Sequence, residues 1–198
     1  MTRFDLAQLP ATPWRNGGGW TREIGAGAFN LSVGEARADL KWDWRLSVAS
    51  IATDGAFSTF PGVDRIAVLV DGAVTLSSAT ATLSWRMPGD AHAFAGEAQF
   101  MARLPAGPAR FFNVMTRRAN ARAEAVVHRQ GFRMATPIAS QVCLLVLKGS
   151  FRVLTPSGEQ RLDAEQGLIC EARPEEAEIQ MLSASGCIVQ VQLFCKNR

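Results

Sequence analysis

The sequence predicts an all-β protein built as two β-barrels in one chain. Three observations carry this reading. Short apolar runs rich in Val, Ile, Phe and Trp recur along the chain, closed by turn residues at intervals of about 8–12 residues. The 3.6-residue periodicity of an amphipathic helix is poor almost everywhere. Finally, IAVLVDGAVTL (66–76) echoes CLLVLKGSFRV (143–153): an apolar strand, a turn at glycine, a second strand. An internal repeat of this kind points to two stacked units. With 198 residues, 47% hydrophobic and 20% charged, the chain can build a sizeable core.

The elements follow in order. Trp42 to Ile51 (WDWRLSVASI) is rich in β-formers and partly alternates. Asp64 to Val70 leads into Asp71-Gly72, a hairpin signal, and then Val74-Thr75-Leu76. Thr80 to Trp85 closes at Pro88-Gly89, and Phe111 to Thr116 is a further strand. Ala119 to Val127 reads as a short helix. Strands then follow at Gln141 to Lys148, Phe151 to Leu154, Gly167 to Glu171, Ile179 to Leu182 and Ile188 to Phe194. The basic stretch RRANAR (117–122) reads as a solvated connector. The expected units are therefore residues 1–122, carrying a ligand pocket, and residues 123–198, with strand exchange between the two left open.

Composition narrows the function. The net charge of +3 is mild and offers no clustered basic face, so nucleic acid is not the expected partner. No stretch approaches the roughly 18 apolar residues of a membrane span, and the N-terminus has no signal-peptide core. A cytoplasmic location is expected. Cys143, Cys170, Cys187 and Cys195 lie in apolar surroundings without CxxC spacing, and read as free thiols.

The stretch WRNGGGW (14–20) sets the functional question. Asn16-Gly17 favours a tight turn, and the glycines let other groups approach the backbone closely. It is not a P-loop, because no GK[ST] follows. Alternation along the neighbouring strands then assigns faces. Trp20, Arg22 and Ile24 share a face, which the two apolar residues mark as inward. Arg45, Ser47 and Ala49 share another, and Phe111, Asn113, Met115 and Arg117 a third. An arginine turned into a barrel needs an anionic partner. That partner is either one of the chain's own acids (Glu23, Asp43, Asp54 or Asp64) or a bound carboxylate held by paired charge-assisted hydrogen bonds.

PWRNGGGWTREI (13–24), WRLSVASIATDGAFSTFPGVDR (44–65) and FNVMTRR (112–118) together resemble the three motifs of the HutD/Ves family, in order and spacing. The resemblance runs from the N-terminus to about residue 118. It implies a bicupin: two jelly-roll barrels in one bacterial chain. It also implies, for HutD members, linkage to histidine-utilisation genes and binding of a small acidic intermediate; for Ves members, a stress or cold response. Carried over by position, the ligand-binding residues are Asn16, Thr21, Arg22, Arg45, Ser47, Phe57, Ser58, Asn113 and Met115. One departure is Phe112, where the third motif usually has an acid.

Many cupins hold a metal through an HxH pair, a glutamate and a later histidine. Here His92 and His128 are isolated, and the stretch ahead of IAVLVDG reads Phe57-Ser58-Thr59-Phe60-Pro61-Gly62. No metal and no cofactor are expected. Glu23 is the only candidate acid or base, and the chain contains no tyrosine. The leading reading is a metal-free protein that binds a small carboxylate metabolite, formylglutamate-like or urocanate-like, and regulates histidine utilisation. A metal-free isomerase or hydrolase and a structural or partner-binding module stay open beside it. Jelly-roll edge strands are compatible with a homodimer.

Overall fold

A computed structural model describes residues 1–14, 17–29, 42–134, 140–170 and 176–196. Among these the structure is built from strands, with one short 3₁₀ turn at Leu6–Gln8. Strand β1 (Thr2–Asp5) opens the chain. It is followed by β2 (Ala11–Pro13), β3 (Gly19–Gly27), β4 (Trp44–Ile51), β5 (Gly55–Ala56), β6 (Val63–Asp71), β7 (Val74–Ser77), β8 (Thr82–Trp85), β9 (Ala91–Ala95), β10 (Met101–Arg103) and β11 (Ala109–Arg117). Then come β12 (Ala121–His128), β13 (Phe132–Met134), β14 (Ser140–Lys148), β15 (Ser150–Thr155), β16 (Gly158–Asp163), β17 (Gln166–Cys170), β18 (Ala177–Met181) and β19 (Cys187–Cys195).

The chain divides into two compact units, Pro10–Arg122 with Cys195–Arg198, and Met1–Leu9 with Ala123–Phe194. Compared with the expected division at 122/123, the two ends of the chain change sides. The physical reason at the N-terminus is β1, which pairs antiparallel with β17 from Thr2↔Ile169 to Asp5↔Gln166. Each unit is a jelly roll of two antiparallel sheets. The first has a six-stranded sheet ordered β2-β3-β4-β11-β6-β9 and a four-stranded sheet ordered β5-β10-β7-β8. The second has sheets ordered β1-β17-β14-β19-β12 and β13-β18-β15-β16.

Asp71-Gly72 is not the hairpin that the sequence predicts. β6 pairs with β9 and β11, whereas β7 pairs with β8 and β10 in the other sheet. The turn carries the chain from one sheet to the other. Gly72 has φ +82°, and a Cβ there would lie 2.8 Å from the Pro108 carbonyl oxygen. Gly149, at φ +80°, stands at the equivalent crossing from β14 to β15. The echo between residues 66–76 and 143–153 is therefore the same sheet-to-sheet corner made twice. The short helix expected over Ala119 to Val127 is also replaced: β12 covers Ala121–His128 at the edge of the five-stranded sheet. Alanine's helical preference is small per residue, and sheet pairing overrides it.

The two interiors differ. That of the second unit is packed with Val142, Leu144, Val146, Phe151, Leu162, Leu168 and Ile188, all buried. In the first unit Trp85 anchors the apolar end. It packs edge-on against Phe111, ring centroids 4.9 Å apart, and its indole N–H donates to the Ala67 carbonyl at 2.9 Å. Pairing the indole N–H removes the cost of burying a polar group. The cysteines are free thiols. Burial pushes the Cys143 thiol up, out of the reactive range.

RRANAR is not a loose connector. β11 runs to Arg117, and Arg118 then clamps Asp64 (Nε to Oδ1, 2.6 Å) and Glu97 (Nη1 to Oε1, 2.7 Å). Its hydrogen bonds to Arg118 hold the Glu97 carboxyl down at about 2. A depressed carboxyl pKa stabilises the fold above the unfolded value and stops doing so as pH falls through the folded one. The contribution of this clamp should thus be complete above about pH 4.5 and disappear as pH falls towards 2. Carbon-detected NMR titration of Glu97 checks it: a midpoint in the ordinary glutamate range would contradict the clamp.

Candidate functional site

The six-stranded sheet of the first unit lays its inward residues in three rows. Thr21, Ala49 and Phe111 stand opposite one another across β3, β4 and β11. Glu23, Ser47 and Asn113 form the next row. Arg45, Met115 and Arg65 form the third, across β4, β11 and β6. Strand alternation puts all three rows on one face, and they line a single cavity of about 520 Å³. Its size is that of a small-molecule site. Trp14, Phe57, Phe60 and Asp54 add to the wall.

Of the residues expected at a ligand site, Thr21, Arg45, Ser47, Phe57, Ser58, Asn113 and Met115 line this cavity together. Asn16 lies outside the described residues. Arg22 does not line it. Thr21 and Glu23 point in, so Arg22 between them faces the other way, with its guanidinium 5.1 Å from the centre of the Trp20 ring. The apolar neighbours Trp20 and Ile24 mark a half-buried face, but it is not the face that lines the cavity.

Arg45 lines the cavity and is already paired. Its Nε donates to Glu23 Oε2 at 2.7 Å, and the two side chains are 25% and 52% exposed. Glu23, the candidate acid or base, is thus engaged by a guanidinium.

Sequence reasoning missed the cation at the centre of the site. Arg65 is 5% exposed. Its Nη1 donates to the Ser58 carbonyl and its Nη2 to Asn113 Oδ1, each at 2.9 Å. Nε is buried and has no partner. Phe57, Phe60 and Phe94 surround the guanidinium with ring centres 4.6, 5.2 and 5.2 Å away. Among the described residues no carboxylate pairs with it. Burial lowers its pKa to about 10, so the group stays charged at neutral pH. Aromatic faces and neutral oxygens offset part of the desolvation cost, but they carry no full negative charge. The signal was there in the sequence: Arg65 alternates with Ala67 and Leu69, two residues of the core.

The glycine run shapes the mouth. Gly17 has φ +69°, and its N–H donates to the Trp14 carbonyl at 3.0 Å. Trp14 N–H donates to the Gly19 carbonyl at 2.9 Å. A Cβ on Gly19 would run into the carbonyl oxygen of Ser50 and come within 3.2 Å of the Trp14 ring. The turn thereby folds the Trp14 indole onto the cavity wall, where its Nε1 donates to Thr21 Oγ1 at 2.8 Å.

Among the described residues, this wall does not suit a divalent metal. It would meet the Arg65 cation and two carboxylates, of which Glu23 holds Arg45 and Asp54 accepts the Leu104 N–H at 2.8 Å. Neither histidine lines the cavity: His92 contacts the Ser84 carbonyl and His128 the Gln190 side chain.

The family model named HutD matches residues 6–189. The chain belongs to the HutD family. Two curated relatives, each named Protein Ves, are similar to it. The one from Citrobacter koseri is 34% identical over 173 residues, covering 84% of this chain and 81% of the relative. The one from Cronobacter sakazakii is 36% identical over 172 residues, covering 84% and 85%. Among solved structures, HutD from Pseudomonas fluorescens SBW25, in a formate condition, superposes with a TM-score of 0.81 at 24% identity, covering 99% of each chain. A conserved protein of unknown function from Pseudomonas aeruginosa PAO1 gives 0.82 at 24% identity, covering 98% of each. The oxalate decarboxylase–formate complex of Lactobacillus farciminis gives 0.61 at 10% identity, covering 98% of this chain and 86% of that one. A cupin 2 conserved barrel domain protein from Leptotrichia buccalis gives 0.59 at 8% identity, covering 98% of this chain and 96% of that one, and this likeness shows the cupin fold.

Proposed function

We propose that this HutD-family chain binds a small carboxylate metabolite in the cavity of its first barrel, and regulates histidine utilisation by binding rather than by chemistry. The observation that carries this reading is Arg65: a buried cation on the wall of a ligand-sized cavity, with no carboxylate against it among the described residues. A buried charge left uncompensated costs several kcal/mol. A ligand carboxylate would supply the missing charge, and Ser58 and Asn113 already hold the guanidinium in place to receive it. The similar HutD from Pseudomonas fluorescens SBW25 was solved in a formate condition, which makes formate a natural probe here.

Binding is favoured over catalysis because, of the two acids on the wall, Glu23 is held by Arg45 and Asp54 accepts the Leu104 N–H on one oxygen. Turnover of a small acid that disappears in Glu23→Gln while binding persists would favour an enzyme instead.

A thermal-shift screen of urocanate, formylglutamate, glutamate and formate, each beside its amide, tests the proposal. At a hundredfold excess over Kd, binding adds about 2.7 kcal/mol. For a chain of this size that is a rise in Tm of roughly 5–10 °C. Trp14 on the cavity wall gives a second readout in its fluorescence. If no acid shifts Tm, or an amide does so equally well, the carboxylate reading fails.

A further inference from the structure

The cavity carries four ionisable side chains among the described residues: Arg45, Arg65, Glu23 and Asp54. The two positive and two negative charges cancel before any ligand enters. They are not distributed evenly. Arg65 is buried, and among the described residues no carboxylate pairs with it. Arg45 is neutralised by Glu23 at 2.7 Å. Asp54 is exposed, and only one of its oxygens is engaged, by the Leu104 N–H. The cavity is thus electropositive at depth and neutral to acidic towards its outer part.

We propose that Glu23 sets the charge of the ligand: the site takes one carboxylate, on Arg65, and rejects a second one on the same molecule. This rests on the carboxylate reading above. The third row of the sheet fixes the spacing. Arg65 faces Met115, and Met115 faces Arg45, so the two arginines stand two strands apart. That separation is about 9.5 Å between backbones. A short acid bound head-first to Arg65 brings its far end towards Arg45. An unoccupied Arg45 would welcome a second carboxylate there. Glu23 already holds the Arg45 Nε, so a second carboxylate arriving there meets a pair whose charges cancel. A carboxylate that sheds its water there without gaining an unpaired cation binds roughly tenfold or more weaker. The ligand class is a small monocarboxylate whose remaining groups are neutral or positive, so that of the acids screened above urocanate and formate fit, and the dicarboxylates formylglutamate and glutamate do not.

Butyrate and succinate have the same carbon chain and differ in the second carboxylate. Their affinities, read by Trp14 fluorescence or calorimetry at neutral pH, test the assignment. Wild type should prefer butyrate. Glu23→Gln removes the charge and frees Arg45, so succinate should gain about tenfold or more while butyrate changes less than about threefold. The double variant E23Q/R45M should lose that gain. Arg65→Met should lose both ligands. The glutamate is half exposed, so Glu23→Gln is expected to fold, and its Tm verifies this. Succinate binding wild type as tightly as butyrate, or equal changes for both anions in Glu23→Gln, overturns the role of Glu23 while leaving Arg65 as anchor. Failure of both anions to bind any variant at tens of millimolar overturns the anchor and the selector together.

Discussion

Arg65→Met is expected to abolish the ligand-induced rise in melting temperature and leave the ligand-free fold largely intact. Removing one partner of a buried, hydrogen-bonded charge pair costs about 2–5 kcal/mol of binding. Affinity for the carboxylate should therefore fall by a hundredfold or more, and the gain of about 2.7 kcal/mol at a hundredfold excess over wild-type Kd should vanish. The ligand-free protein behaves differently because the guanidinium is a stability liability in the absence of an anion. It is 5% exposed, its Nε has no partner, and its neighbours are three phenylalanine rings and two neutral oxygens. Methionine is unbranched and of similar length, and fills irregular space among rings. Losing the two hydrogen bonds and losing the buried charge offset each other, so unfolding in urea should move by less than about 2 kcal/mol. Arg22→Ala, off the cavity wall, serves as the control and should keep the ligand response. An Arg65→Met variant that still responds fully to ligand would remove Arg65 from the site. One that no longer folds would make the arginine a structural strut.

Gly19→Ala should damage both fold and site. The added methyl would lie inside the van der Waals surface of the Ser50 carbonyl oxygen, which is backbone and cannot swing aside. Relief requires β3 to move off β4 at the end of the sheet where Gly19 faces Ile51. Overpacking of this kind costs about 1–3 kcal/mol, and a backbone clash belongs at the upper end. The same movement tilts Trp14, whose ring the methyl also approaches, and loosens its hydrogen bond to Thr21. Ligand affinity should fall along with stability. Gly17→Ala is the informative contrast. Nothing lies within 4 Å of its Cβ position, but φ is +69°. Its cost is backbone strain alone, about 1 kcal/mol. Urea unfolding of the two variants separates the effects; equal destabilisation would mean that close approach at Gly19 is not what the glycine run provides.

The elements that the sequence made legible are those where a local pattern has one outcome. Trp44 to Ile51 and Phe111 to Thr116 alternate between two packed faces, and they form β4 and β11. Local signals failed where the outcome depends on distant partners. Asp71-Gly72 has the chemistry of a tight turn, and it makes one, but nothing nearby says whether the next strand returns to the same sheet or crosses to the other. Ala121 to His128 has helical composition, and joins a sheet because β19 is there to pair with it.

Side-chain direction divides in the same way. Alternation correctly groups residues that share a face, yet parity alone does not say which face lines the cavity. Trp20 and Ile24 drew Arg22 inward on paper, whereas Thr21 and Glu23 line the cavity. Glu23 is one of the acids that the sequence offers as an internal partner, and it does clamp Arg45. In the sequence, Asp64 gives the Asp64-Arg65 pair the look of surface charge. Successive strand residues point in opposite directions. Asp64 turns out to Arg118, and Arg65 turns in alone.

The most direct test is a crystal structure of the protein grown with a small monocarboxylate such as butyrate. The ligand carboxylate is expected in the first barrel, within hydrogen-bonding distance of the Arg65 guanidinium, with the Glu23–Arg45 pair intact beside it. Anion density at Arg22 or elsewhere on the surface, with nothing but solvent beside Arg65, would contradict that expectation.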